Sequence, residues 1–190
     1  MQYKNKLNED EELIIIPIVW EKIPFDTTTA LGKKSDSGLY QIYGRHNAYG
    51  KDSLLYIGQA GVFSQRLLYE ERFFKDFLET TAEPDSVRLG RIVKANSKKS
   101  ETIPEENNPV WNNLINWAEK LLIATHTPAF NSQLDHKLYG ILDNWINDKK
   151  HIIVLNFGDR GCLLPEVSTF RNSYAFYEYE TPFGFEEEKK

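Results

Sequence analysis

Two short extended runs followed at once by a helical period constrain this chain more than any other feature. Gly38 to Tyr43 and Leu54 to Gly58 are extended in pattern, and a loop rich in Gly, Asn and charge separates them, which reads as a hairpin. From Val62 to Leu78 the apolar residues Leu67, Leu68, Phe74, Phe77 and Leu78 recur at helical spacing with charged residues between them. That period predicts an amphipathic helix directly after the hairpin.

The remaining elements extend this frame. Leu13 to Trp20 is β-branched and apolar and reads as a strand, with Pro17 favouring an edge position or a bulge. Polar residues from Thr27 to Ser37 form a connection. Glu83-Pro84-Asp85 closes the helical region, Val87 to Val93 is a third strand, and Ser97 to Asn108 a polar loop. A helix over about Trp111 to Thr125 places Leu114, Ile115, Ala118, Leu121 and Leu122 on one face, and Pro128 marks its end. Glu119 lies beside that apolar stripe, an uncommon place for a charge without a partner. A further helix is predicted over Leu134 to Asn147, strands over Ile152 to Phe157 and Ser173 to Tyr179, and a disordered tail over Glu186 to Lys190.

The length of 190 residues suits one buried domain with extensions. No apolar run approaches the ~18 residues of a membrane span, and acidic residues stand where a signal peptide needs its apolar core. Cys162 is the only cysteine, which excludes an internal disulfide and a cysteine zinc site. A cytoplasmic location is expected. His46, His126, His136 and His151 show no close metal-ligand spacing. The net charge of −5 argues against a generally basic nucleic-acid-binding protein, but Lys33 to Lys99 holds twelve Lys/Arg against eight Asp/Glu, so the acid lies in the flanks. Within that middle, Arg88, Arg91, Lys94, Lys98 and Lys99 form a stretch with no acidic residue, as a phosphate-neutralising surface or an ordinary solvated loop would.

The order strand, strand, helix, strand, helix, with a tyrosine in each opening strand, resembles the GIY-YIG nuclease family. The first motif stands as Gly38-Leu39-Tyr40 and the second as Tyr56-Ile57-Gly58. Arg66 follows ten residues after Tyr56, and Glu119 is followed by Pro128 and Asn131, similar to the family's helix glutamate with its later proline and asparagine. The resemblance covers roughly residues 37–132 and implies an α+β fold with a small, mainly antiparallel central sheet flanked by helices and extra strands at both ends. The division it implies is 1–36 as an N-terminal extension with one strand, 37–132 as the nuclease core, and 133–190 as a C-terminal helix and strands packed on the core.

The activity it implies is metal-dependent endonucleolytic hydrolysis of DNA, of restriction type by analogy with small stand-alone members. Glu119 would hold Mg2+ or Mn2+, since Mg2+ keeps much of its water and needs few carboxylates. Arg66 would present a planar fork to the scissile phosphate. Tyr40 is the general-base candidate, Tyr56 would bind phosphate or metal-bound water, and Asn131 would hold the loop around the site. A phenol's ordinary pKa of about 10 means base catalysis needs a nearby cation to favour the phenolate. Arg45, His46 and Lys51 of the hairpin loop, with Arg88, Arg91 and Lys94, are the candidate nucleic-acid contacts. Double-stranded DNA is the expected partner, a membrane is not, and a homodimer would supply two sites for two antiparallel strands.

The pattern departs from the family where a histidine or tyrosine usually stands four residues after the arginine. Here that position is Glu70, with Tyr69 about 100° away on the helix. Glu70 reads as a second metal contact, as an exposed bystander to Tyr69, or as a mark of weakened catalysis. Each candidate also has a plain structural reading: half-buried strand tyrosines, an exposed helix arginine, Glu119 paired with Lys120 or a distant arginine, and Asn131 as a turn residue. The competing functions are therefore a binding module that has lost hydrolysis and a protein-interaction domain using Tyr174 to Tyr179.

Overall fold

A strand with a continuous apolar run has to be covered on both faces over that run, and β1 (Glu12–Pro24) shows this at Ile16 to Ile18, consecutive buried residues. In the computed structural model, which describes residues 12–25, 37–77, 81–93, 109–131 and 150–169, the chain is α+β. The elements continue as β2 (Gly38–His46), β3 (Gly50–Ala60), α1 (Phe63–Phe77), β4 (Ala82–Ile92), α2 (Pro109–His126), β5 (Lys150–Gly158) and β6 (Glu166–Ser168). The six strands form one sheet in the order β3-β2-β4-β1-β5-β6.

The sheet is mixed, which corrects the expectation of a mainly antiparallel one. β2 pairs antiparallel with β3 and β4, β4 with β1, and β5 with β6, but β1 and β5 run parallel from Glu12↔Lys150 to Trp20↔Gly158. The physical cause is visible in both strands, Leu-Ile-Ile-Ile in β1 and Ile-Ile-Val-Leu in β5, continuous apolar runs of the kind that interior parallel strands carry. β1 is consequently an interior strand rather than the edge that Pro17 suggested. Pro17 is tolerated because the β4 ladder ends beside it: paired positions begin at Ile18↔Ile92, and the Pro17 carbonyl accepts from Val93 N at 3.0 Å.

Glu83-Pro84-Asp85 is a second correction, since these residues belong to β4 instead of preceding it. Pro84 sits opposite Gly44 at a register shift between Tyr43 and Gly44, and β1 begins to pair only at Ser86, so the proline's missing donor falls where the ladder is already irregular. The expected hairpin, the first two expected helices and the 152–157 strand are present; the strands and α2 run somewhat longer than their sequence signals, whereas α1 is described over Phe63–Phe77 within the expected 62–78. The 134–147 helix, the 173–179 strand, the 97–108 loop, most of the 27–37 connection, the 186–190 tail, Leu78 and the side chains of Phe74 and Phe77 lie outside the described residues.

Alternation along the strands divides the core in two. Tyr40, Ile42, Val87 and Leu89 pack under α1 through Phe63 and Leu67, while Leu68, expected on the same stripe, is turned outward and exposed. Leu39, Ile57, Ile16, Ile18 and Trp20 face the other way and pack with Ile115, Ala118, Leu121 and Leu122 of α2. Each helix thus covers one face, and neighbouring residues of β2 belong to different cores. Among the described residues no helix is long and apolar enough to cross a membrane.

Candidate active site

Tyr40 and Tyr56 come together because Ile42 pairs with Tyr56 and Tyr40 pairs with Gly58, which sets the two tyrosines diagonally across one face of the hairpin. Their rings stack with centroids 6.0 Å apart. Gly58 makes this possible, since a Cβ there would lie 2.8 Å from Tyr56 Cε1 and collide with the Tyr40 hydroxyl. The glycine of the second motif is therefore a space requirement for the first motif's tyrosine.

Arg66, in the first turns of α1, meets this face. Its Nε donates to Tyr40 Oη at 3.0 Å, and its Nη2 pairs with Glu70 Oε1 at 3.0 Å, one helical turn on. Tyr40 Oη in turn donates to Glu70 Oε1 at 2.7 Å. Tyrosine, arginine and glutamate close a triangle in which the hydroxyl is at once acceptor and donor. Glu70 is buried at 3% exposure, which removes its reading as an exposed bystander; Tyr69 is the exposed one, with the Arg66 guanidinium 5.2 Å from its ring centre.

The triangle decides the protonation of the tyrosines. Burial first, and then the Glu70 charge, push the Tyr40 pKa far above the ordinary phenol value, against the pull of the Arg66 hydrogen bond. Tyr56 is raised for the same leading reason. Arg66 pulls Tyr40 toward the phenolate, as the sequence reading required, but burial and then the Glu70 charge outweigh it. Tyr40 also has no exposed surface. It is thus placed to hold Arg66, and Tyr56, half-buried, is the more open tyrosine of the two.

Glu119 projects from α2 near the end of β3. Burial raises its carboxyl pKa to about 7, with Lys120, Arg66 and a hydrogen bond from the Gln59 backbone pulling the other way. The Gln59 side chain also ties β3 to α2, donating to Asn116 Oδ1 at 2.8 Å. A cleft of about 710 Å3 opens between Gln59, Val62, Arg66, Tyr69 and Trp111; Arg66 lines it, whereas Tyr40, Tyr56 and Glu119 lie behind its lining. The described residues contain no group of three His, Cys, Asp or Glu side chains positioned to hold a metal. A single desolvated carboxylate beside a cleft still fits a cation that retains most of its water, because an anion short of solvation gains most from a cation.

Asn131 has the clearest local role. β3 is an edge strand, so Ile57 has an outward N–H and C=O that no strand satisfies. Asn131 Oδ1 accepts from Ile57 N and its Nδ2 donates to Ile57 O, both at 2.9 Å, while Ala129 N and Phe130 N bond to Leu54 O and Leu55 O. The segment after α2 is thereby zipped onto β3 beside Tyr56.

The nucleic-acid candidates are not gathered at this site. Arg45, His46 and Lys51 lie at the hairpin tip, roughly 20 Å along the strands from Tyr40. His46 is used locally, its Nδ1 accepting from Ala48 N and Tyr49 N and its ring stacked on Tyr49. Arg91 lies on the Tyr40 face, 6.0 Å from the Phe63 ring centre, where it pairs with Glu21 at 3.1 Å, whereas Arg88 belongs to the opposite face of the sheet. Lys94, Lys98 and Lys99 lie outside the described residues. Comparison of the chain with protein-family models, with curated proteins and with solved structures finds no match in any of the three. Glu70 as the shared partner of Tyr40 and Arg66 was not read from sequence, although its spacing of four from Arg66 was the available signal.

Proposed function

We propose that this chain is a metal-dependent endonuclease acting on DNA, of the GIY-YIG type that its motifs resemble. The observation that carries the reading is the convergence of Tyr40, Tyr56, Arg66 and Glu119 at one end of the hairpin, with Arg66 locked by Tyr40 and Glu70 and reaching an open cleft. Four residues from four elements meet there in the order the motifs anticipate.

Arg66 binds the scissile phosphate. Two of its N–H groups are committed to Tyr40 and Glu70, which fixes the plane of the fork and leaves its outer Nη donors for a phosphoryl oxygen. Its side chain is 42% exposed, enough to meet a ligand in the cleft. Tyr56 orients the attacking water by hydrogen bonding, and Asn131 keeps Tyr56 in place through the β3 edge. The Glu119 carboxylate holds Mg2+ or Mn2+, which when bound supplies charge neutralisation at the phosphoryl and leaving oxygens. Tyr40 and Glu70 are positioning residues, acting through Arg66.

A specific observation favours a second reading. Glu70 offsets the Arg66 charge, and Tyr40 is enclosed, so the same fold would suit a module that binds nucleic acid without cutting it. Incubating supercoiled plasmid and labelled duplex with Mg2+ or Mn2+ separates the two. Wild type is expected to cut, with no cleavage by Glu119→Ala or in EDTA. Metal-independent binding with no cleavage on any substrate, RNA included, would leave the binding module as the function.

A further inference from the structure

On the sheet face opposite Tyr40, three strands present a polar row where a core would be expected. Gln41 of β2 is the register partner of Arg88 in β4, and Arg88 is the partner of Lys22 in β1. Directly paired residues share a face at about 5 Å between Cβ atoms. Gln41 has no exposed surface, yet its Nε2 has no hydrogen-bond partner. Its orientation is set by the Tyr43 hydroxyl, which donates to Gln41 Oε1 at 2.8 Å and leaves the NH2 end free.

Arg88 lies with its guanidinium 3.9 Å from the centre of the Tyr43 ring, and its Nε and Nη1 are enclosed and unpartnered. The loop after β5 closes over this pair. Cys162 N donates to Tyr43 Oη at 3.0 Å, and a Cβ on Gly161 would lie 2.7 Å from Tyr43 Cζ and 2.9 Å from Arg88 Nε. Arg160, next in the chain, also has an enclosed Nε without a partner. Among the described residues no carboxylate pairs with Lys22, Arg88 or Arg160.

Enclosed donors without acceptors are costly, more so on a cation, and like charges facing across a ladder repel. One anion with several acceptor oxygens relieves both. A water satisfies Gln41 but leaves Lys22 and Arg88 opposed. A nucleic-acid duplex is too wide to reach a side chain as enclosed as Gln41, so the ligand has to be a small ion, with the exposed Lys22 at the solvent side of the row. We infer that Gln41, Arg88 and Lys22 form a binding site for a small oxyanion of the phosphate class, on the face opposite the candidate active site. This site is independent of the nuclease reading, because none of the residues around the cleft takes part in it.

The test is a titration of the full chain with inorganic phosphate, ionic strength held constant with chloride, followed by calorimetry and by the thermal midpoint. Wild type is expected to bind phosphate saturably at one site and to gain several degrees in Tm when phosphate is in large excess. Arg88→Met is expected to weaken binding about tenfold or more, the loss of one charge-assisted contact. Lys22→Met does the same from an exposed position where folding is not at issue. Absence of saturable binding to wild type, or undiminished binding by both variants, overturns the site. So does a short oligonucleotide that binds through Lys22 and Arg88 where phosphate does not.

Discussion

On one face of β2, Tyr40 meets an arginine that has its own carboxylate; on the other, Gln41 meets an arginine that has none. The difference follows from the elements that carry the arginines. Arg66 is on a helix, where the residue four positions on is a neighbour, so Glu70 comes with it. Arg88 is on an interior strand, where its neighbours are cross-strand partners, and these are Gln41 and Lys22. An internally compensated arginine is rigid and offers a ligand only its spare donors, whereas an uncompensated one attracts an anion outright.

The largest effect is expected from removing that compensation. Glu70→Gln makes the first face resemble the second: Arg66 loses its anionic partner and Tyr40 a charged acceptor. Misplacing the fork is expected to lower kcat for cleavage by about a hundredfold while KM moves less. Stability is expected to fall by about 2 kcal/mol, less than for a fully buried pair because Arg66 is partly exposed. Wild-type kcat and an unchanged urea midpoint in this variant would show that the two arginines do not differ in the way described.

Asn131→Ala sharpens the comparison by loosening only the edge beside Tyr56. Two buried bonds to Ile57 are lost, which is expected to cost about 2 kcal/mol in urea unfolding, with faster hydrogen exchange at Ile57 and none at Arg88. Equal acceleration on both faces would mean the edge is not a separate unit.

The smallest effect concerns the loop over the Gln41 face. His126 Nδ1 donates to Leu122 O at 3.0 Å, and its Nε2 accepts from Leu164 N at 2.9 Å, an arrangement that needs the neutral ring. Burial lowers the His126 pKa below its ordinary 6.5, opposed by the Leu122 bond. The unfolded chain therefore binds the proton more readily, and the stabilisation is fully present above pH 6.5 and lost as pH falls through the folded value. A fall of about 1 kcal/mol is expected over that range, and a shallower one in His126→Gln. Identical pH profiles would assign the acid sensitivity to other groups.

The hairpin, α1 and α2 were legible in the sequence because they rest on local period, and the meeting of Tyr40, Tyr56 and Arg66 was implied by the motif resemblance rather than by any local pattern. The interior place of β1 was not. Pro17 argued for an edge, and the partner that overrules it, β5, runs parallel and lies far along the chain. Arg88 and Arg91 read alike as basic residues in one stretch, but strand alternation sends one to a buried row and the other to Glu21. Glu70 sat at a readable spacing, yet only the packing of α1 against β2 turns it toward Tyr40.

The parallel pairing of β1 with β5 also bears on the order in which the chain assembles. The β2–β3 hairpin closes over a few residues, and α1 follows it directly, so Tyr40, Tyr56 and Arg66 can associate early. The first half of β1 has to wait, since Glu12 to Ile16 pair with β5 and lie beyond the β4 ladder that registers Ile18 to Pro24. Loop closure on that scale makes the central pairing slow, and during synthesis an apolar strand remains without one neighbour until nearly the whole chain has emerged.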